Sequence, residues 1–385
     1  MKHYQLAVFL LIVLSIYGGV NTYIFIRGWQ ALPVASSARL IYPIAFLVCA
    51  TAYIVGRIAE RFWSGILVNA CTWLGSFWLG AMTYFLLIVV AIDLLRVVNH
   101  FLPFFPTAMT ADWARAKIGV FCGAIVVVAI ILTAGFINAR LPKITTLDLQ
   151  IAKKVPGLSQ LNIVVASDFH LGTLVGARQV NQLSTTIKRL DPDLVLFAGD
   201  IFDEDMHPER CTNICNGLTT MQPRFGTFTV PGNHEYFSGL ARAEQYLNER
   251  GIRVLKDSVI CIADLFYIIG RADFEQRRFN GKSRLALAEL TAALDRSKPI
   301  ILLDHQPVNL QEAVTNGVDL QISGHTHHGQ LWPFNLLTRR VYEVSRGYKR
   351  KGLTHFYVSS GFGTWGPPIR TNSRPEIVYI HLHFE

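Results

Sequence analysis

Apolar positions along this chain follow two regimes. Through the first 140 residues they form long unbroken stretches, near Tyr4–Ile26, Leu40–Gly56, Ile66–Ile92 and Ile118–Ile137. About 20 helical residues cross the hydrocarbon core of a bilayer. Each stretch is therefore expected as a membrane-spanning helix, the second short and the third long enough to tilt. Trp29, Trp63 and Trp113 flank the stretches, where interfacial side chains belong. The plain alternative is a set of helices buried in a soluble core. The first stretch is too long for a secretory leader and lacks a small-residue cleavage site, and three more follow it.

Beyond residue 158 the apolar runs shorten. Ile163-Val164-Val165-Ala166, Leu194-Val195-Leu196-Phe197, Thr227-Phe228-Thr229-Val230, Ile300-Ile301-Leu302-Leu303 and Leu320-Gln321-Ile322 are apolar nearly throughout. Strands buried on both faces look like this, as in parallel sheets. Between them Ala177–Leu190, Leu240–Arg250 and Ser283–Leu294 carry apolar residues at helical spacing. Alternating strand and helix is the pattern of an α/β sheet. The expected organisation is a four-helix membrane region over 1–137, a short linker over 138–158 broken by Pro142 and Pro156, and a second domain over 159–385.

Composition sharpens the first regime. Of the 385 residues 51% are hydrophobic and only 16% charged, against about 25% in an ordinary soluble domain, and the deficit sits in the first 140. The formal net charge is +9. In a membrane chain that balance reflects flanking Lys/Arg and anionic lipid; no nucleic-acid motif accompanies it, so no nucleic-acid partner is expected. The basic run Arg339-Arg340, Arg346, Lys349-Arg350-Lys351 is either a solvated face or a contact with anionic headgroups. Lys2, Arg57, Arg61, Arg140 and Lys143 flank one side of the spans; Arg27, Arg39, Arg96, Arg115 and Lys117 flank the other. That tie leaves Lys153 and Lys154 to tip the second domain toward the cytoplasm. No charge pair stands out inside the spans, since Asp93 lies at the end of the third. They read as an anchor rather than a transport path. Cys49, Cys71, Cys122 and Cys261 lie in apolar runs as small core residues; Cys211 and Cys215 suit a disulfide, a metal or two inert thiols, the last being simplest.

The chemistry sits directly after the short apolar runs. There stand Asp168-Phe169-His170, Gly199-Asp200-Ile201-Phe202-Asp203, Gly232-Asn233-His234-Glu235, Asp304-His305 and Gly324-His325-Thr326-His327. The carboxyl edge of an open α/β sheet is where ligands bind. Carboxylates, imidazoles and one amide form a mixed oxygen and nitrogen donor set that Mn, Fe or Zn accept. Two cations about 3.5–4 Å apart need several terminal ligands and a shared carboxylate, for which Asp200 is the natural bridge. Asn233 donates an amide oxygen without adding negative charge that would repel an anionic substrate. Taken singly, Asp168, Asp200 or His305 is as well explained as a hydrogen-bonded polar residue at a strand end. The whole set together suits a pair of cations, which can hold phosphoryl oxygens and lower the pKa of a bound water, the needs of phosphoester cleavage.

Residues 162–385 resemble the calcineurin-like metallophosphoesterases, and most closely their bacterial membrane-tethered branch. The resemblance rests on Asp168-x-His170, Gly199-Asp200-x-x-Asp203, Gly232-Asn233-His234-Glu235, His305 and Gly324-His325-x-His327, in family order. It implies a four-layer α/β domain, two sheets between helices. It implies a first metal on Asp168, His170 and His327, a second on Asn233, His305 and His325, Asp200 bridging, His234 as general acid or phosphate clamp, and Asp203 orienting it. The branch has Gly-His-Thr-His-Gly-Gly-Gln where this chain has His328 after His327; the departure leaves the metal ligands intact and either alters substrate contacts or is a spare surface histidine, the simpler reading. The run Gly361 to Gly366 fits a dinucleotide glycine pattern, but Pro367-Pro368 follow and no helix is expected to open there. Arg370 just beyond is a candidate contact to substrate phosphate, and otherwise an ordinary surface residue. His100, His207 and His355 match nothing and are expected as surface or interface residues. The His-x-His-x-Asp-His run of β-lactamase-like zinc hydrolases is missing.

The expected protein is thus an integral membrane phosphoesterase of a bacterial inner or cell membrane. It would hydrolyse a lipid-linked or membrane-proximal phosphoester with a water activated between two divalent ions. The rivals are a silent receptor or scaffold that keeps the fold, and a transporter with an attached regulatory phosphoesterase. Oligomeric state is open.

Overall fold

The computed structural model describes residues 3–203, 217–218 and 221–385. The chain divides into two compact units, one of residues up to Phe136 with Gly366–Ile369, the other of Ile137–Trp365 with Arg370–Glu385.

The first unit is helical: α1 (His3–Ala31), α2 (Ala38–Ala59), α3 (Ile66–Phe101), the short α4 (Thr107–Ala111) and α5 (Trp113–Asn138). α2, α3, α5 and residues 7–31 of α1 are long and apolar enough to cross a membrane. Each extends past the apolar run that marks it, because helices continue into polar caps that hydropathy does not register. Small residues let α2 and α3 approach closely: a Cβ on Gly75 would meet the Tyr53 backbone, and one on Gly56 the Thr72 backbone. Contrary to expectation, a charge pair does link the helices. Arg27 of α1 lies 2.6 Å from Asp93 of α3, and Tyr23 donates its hydroxyl to the same carboxylate at 2.5 Å. The partner of Asp93 is 66 positions earlier, which the local sequence does not reveal.

The second unit has two six-stranded mixed sheets. In the first, β1 (Lys143–Ile151), β2 (Gln160–Ala166), β3 (Leu194–Phe197), β4 (Thr227–Thr229), β5 (Ile252–Val254) and β12 (Glu376–Phe384) lie in the order β1-β12-β2-β3-β4-β5. β2, β3, β4 and β5 run parallel, and β12 pairs antiparallel with β2 and parallel with β1. In the second, β6 (Ser258–Ile262), β7 (Phe266–Gly270), β8 (Ile300–Leu303), β9 (Leu320–Ser323), β10 (Gly347–Lys351) and β11 (Thr354–Val358) take the order β10-β11-β9-β8-β7-β6.

Alternation along the strands builds the layers. Leu161, Ile163 and Val165 of β2 join Ile268, Ile301 and Ile322 of the second sheet in one buried cluster, while Val164 and Ala166 point the other way, to Val180, Leu183 and Ile187 of α6 (Ala177–Leu190). The outer face of the second sheet meets Leu287, Leu310 and Ala313. The result is helix, sheet, sheet, helix. Further helices are short: α7 (Asn233–Ser238), α8 (Leu240–Asn248), α9 (Gln276–Asn280), α10 (Leu287–Thr291), α11 (Gln311–Thr315) and α12 (Phe334–Val341).

Three expectations need correction here. The segment 138–158 is not a plain linker, because β1 fills nine of its residues along β12. The helix expected over Ser283–Leu294 shrinks to α10. Asp257 accepts the Leu285 N–H and Arg271 donates to the Leu285 carbonyl, which diverts the backbone before a helix can start. Cys122 and Cys261 are exposed rather than core, the latter on edge strand β6. Cys211, Cys215 and His207 lie outside the described residues.

Candidate metal centre

Each candidate ligand stands in a turn at the carboxyl end of a strand. Asp168 and His170 follow β2, Asp200 and Asp203 follow β3, Asn233 opens α7 after β4, His305 follows β8, and His325 and His327 follow β9. Five of the seven candidate ligands have positive φ: Asp168 (53°), His170 (49°), Asp200 (52°), His325 (71°) and His327 (44°). A side-chain-bearing residue in that region is strained by about 1–3 kcal/mol, and the neighbours hold each in place. The Asp168 N–H donates to the Gly199 carbonyl, and the His170 N–H to the Asp200 carbonyl.

The turns converge. His170 Nε2 and His327 Nε2 face each other at 2.9 Å, with Asp168 Oδ1 3.8 Å from His327 Nε2. On the other side His325 Nδ1 and His305 Nε2 lie 2.9 and 3.3 Å from Asn233 Oδ1. Asp200 Oδ2 stands between the groups, 3.1 Å from His305 Nε2 and 3.9 Å from His170 Nε2. Asp168, His170 and His327 form one set with donor atoms within 4.8 Å of one another; Asp200, His305 and His325 form a second. The sequence-derived ligand residues are therefore together in space. His234 adjoins them, its ring 4.5 Å from that of His170, its Nδ1 3.5 Å from Asp203 Oδ1.

The donor chemistry fits divalent metal. Burial, reinforced by His234, presses the His170 pKa down to about 3, and burial with His305 presses His325 to about 4. His327 is held well below its usual value by burial, His170 and the Arg370 guanidinium. These imidazoles are neutral near pH 7, and the close approach of His170 Nε2 to His327 Nε2 and of His325 Nδ1 to the Asn233 amide oxygen gathers nitrogen and oxygen donors that a cation would hold. For His305, burial disfavours charge, but the Asp200 carboxylate overrides it and raises the pKa. His305 Nδ1 lies 2.7 Å from the Ala198 carbonyl and donates to it, so Nε2, 3.1 Å from Asp200 Oδ2, is the nitrogen at which a metal would take the place of a proton.

Glu235 has a role the sequence did not show. Its buried carboxylate accepts the N–H groups of Asp200 (3.1 Å), Phe202 (3.0 Å) and Gly232 (2.7 Å). It joins the Asp200 turn to the Asn233 turn. The Gly-Asn-His-Glu run contained the signal, since a carboxylate beside a helix start suits backbone N–H groups. Arg370 is neither exposed nor open to substrate. It is fully buried, donating to the carbonyls of Ser360 (2.7 Å) and Gly363 (2.6 and 3.0 Å) and reaching His327 Nδ1 at 3.0 Å. His328 is also buried, its Nδ1 2.8 Å from Ser345 Oγ. His355 is buried too, bridging Tyr348 and the Gln150 carbonyl, whereas His100 is exposed. The Gly361–Gly366 run forms turns without a helix; a Cβ on Gly363 would strike the Phe169 carbonyl.

Residues 161–329 match the family model described as calcineurin-like phosphoesterase. A metallophosphoesterase of Aquifex aeolicus is 33% identical over 232 residues, which cover 60% of this chain and 88% of that one. The chain belongs to the calcineurin-like phosphoesterase family. A metallophosphoesterase of Helicobacter pylori is 35% identical over 228 residues, 58% of this chain and 60% of the relative. A Danio rerio protein described as a transmembrane protein with metallophosphoesterase domain is 31% identical over 272 residues, 67% of this chain and 62% of that one. The match thus spans under two thirds of the length of the Helicobacter and Danio relatives. In this phosphoesterase-family chain the model region holds every candidate ligand, and the bilayer-length helices precede it.

Proposed function

We propose that this chain is a membrane-anchored hydrolase that cleaves a phosphoester with two divalent ions. Asp168, His170 and His327 would hold one, Asn233, His305 and His325 the other, and Asp200 would bridge them. The observation that carries the reading is Asp200 Oδ2 standing between His170 Nε2 and His305 Nε2. When bound, such ions screen phosphoryl charge and make water nucleophilic near neutral pH. Mn, Fe and Zn all suit the donors.

The chain supplies the rest. His234 has its backbone N–H fixed by Asp200 Oδ1 at 2.9 Å, and Asp203 orients its Nδ1. It donates the proton that the departing oxygen takes up. Trp365 and Phe237 flank it, each ring 6.1 Å from the imidazole, and both are exposed. That wall suits an apolar leaving group, which favours a lipid-linked phosphoester over a free sugar phosphate. Micellar lipid phosphoesters should then be cleaved faster than soluble ones of the same bond type; equal rates remove the lipid assignment and leave hydrolysis standing.

Hydrolysis itself is tested with a chromogenic phosphodiester and added Mn. His234→Ala should lose about 10²–10⁴ in rate while keeping its metal, whereas Asp200→Asn should lose both. The same residual rate in wild type and both variants would indicate a scaffold.

A further inference from the structure

The segment leaving the metal centre carries a surface the proposed hydrolysis does not use. After His327 and His328 the chain turns into α12, an eight-residue helix that buries Asn335 and leaves its apolar side chains largely open. Trp332, Phe334, Leu336, Leu337 and Val341 are 45–63% exposed. Leu353, at the tip of the β10–β11 hairpin, is 75% exposed. Five exposed large apolar residues within ten positions, 332–341, mark an interaction surface rather than ordinary solvent-facing residues.

Charge identifies the occupant. Between Leu331 and Leu353 stand six basic residues and a single acidic one, Glu343. Lys349 and Lys351 lie 2.8 and 3.1 Å from Glu343. Arg339, Arg340, Arg346 and Arg350 pair with no carboxylate among the described residues. A second copy meeting this face through a two-fold axis would set like charges against one another. Anionic headgroups meet both requirements: apolar tips enter the acyl boundary, while arginine stems cover apolar surface and keep their charge at headgroup level. The chain brings lipid within reach, because α5 ends at Asn138 and β1 begins at Lys143.

We propose that α12 and the β10–β11 hairpin form a lipid-docking surface that beds into an anionic membrane face. This second attachment is independent of the spanning helices and of hydrolysis. It fixes which side of the phosphoesterase unit meets the bilayer, a few residues downstream of His327.

The test uses the full chain in nanodiscs of phosphatidylglycerol with phosphatidylcholine, and of phosphatidylcholine alone. A nitroxide is placed by Leu337→Cys, or by Val341→Cys should the first not fold, in a chain whose six native cysteines are serine. A control label goes at exposed Glu249. In anionic discs, collisions of the label at 337 with oxygen should exceed those with a water-soluble nickel chelate several-fold, the reverse of residue 249. Arg339→Glu with Arg340→Glu should cut that ratio toward the control. In the unmodified chain, amides 334–342 should exchange more slowly in anionic than in neutral discs. A label at 337 as open to nickel as the control overturns the proposal, as does one shielded from both reagents, which would show a protein cover. Equal exchange in both lipids overturns the anionic requirement.

Discussion

Glu235 holds two ligand turns together by accepting three backbone N–H groups, and this makes it a sensitive single position. Glu235→Gln removes an acceptor and turns an amide N–H toward other donors. The expected cost is about 2–3 kcal/mol, read as a melting temperature lower by several degrees in chelator, where metal cannot mask it. Arg370→Met keeps bulk but deprives the Ser360 and Gly363 carbonyls of donors and frees His327 to rotate. Metal affinity should fall about 10–100-fold in competition against a fluorescent chelator, with hydrolysis recovering at high metal. The donor types were legible in the sequence because each follows a short apolar run. The supports were not. Arg370 lies 43 positions from His327, and nothing local distinguishes a buried guanidinium from a surface one. His328 likewise looked spare because its partner, Ser345, sits on another segment.

Strands β2, β3, β8 and β9 were readable because both faces are buried and their residues apolar. β1 was not. Its first six residues alternate between half-buried and exposed, and the strand it pairs with among the described residues is more than 200 positions away. Helix α10 fell short of its periodicity because side chains captured the preceding backbone. The turn after β11 gives a test at this scale. Gly363→Ala drives a methyl into the Phe169 carbonyl beside Asp168 and should cost more than about 4 kcal/mol, seen as protease sensitivity of the phosphoesterase unit. Gly119→Ala, in α5 with nothing within 4 Å of the added carbon, should leave it resistant.

For the molecule as a whole, two compact units mean that stability need not be a single quantity. A metal bound by the folded phosphoesterase unit alone stabilises that unit, by about 2.7 kcal/mol at a concentration 100 times its dissociation constant. Chelation should therefore lower one calorimetric transition and leave helical signal from the first unit unchanged; a shift of both together would show that they unfold as one.

The position of β12 also sets a timetable for synthesis. It lies between β1 and β2, yet its first residue, Glu376, emerges from the ribosome long after Ile151 completes β1. At about 5–20 residues per second the gap is on the order of ten to fifty seconds. Throughout it two unpaired strand edges stand open beside a bilayer that has already received the helices, so a nascent chain stalled before residue 376 should be the form that chaperones and proteases meet.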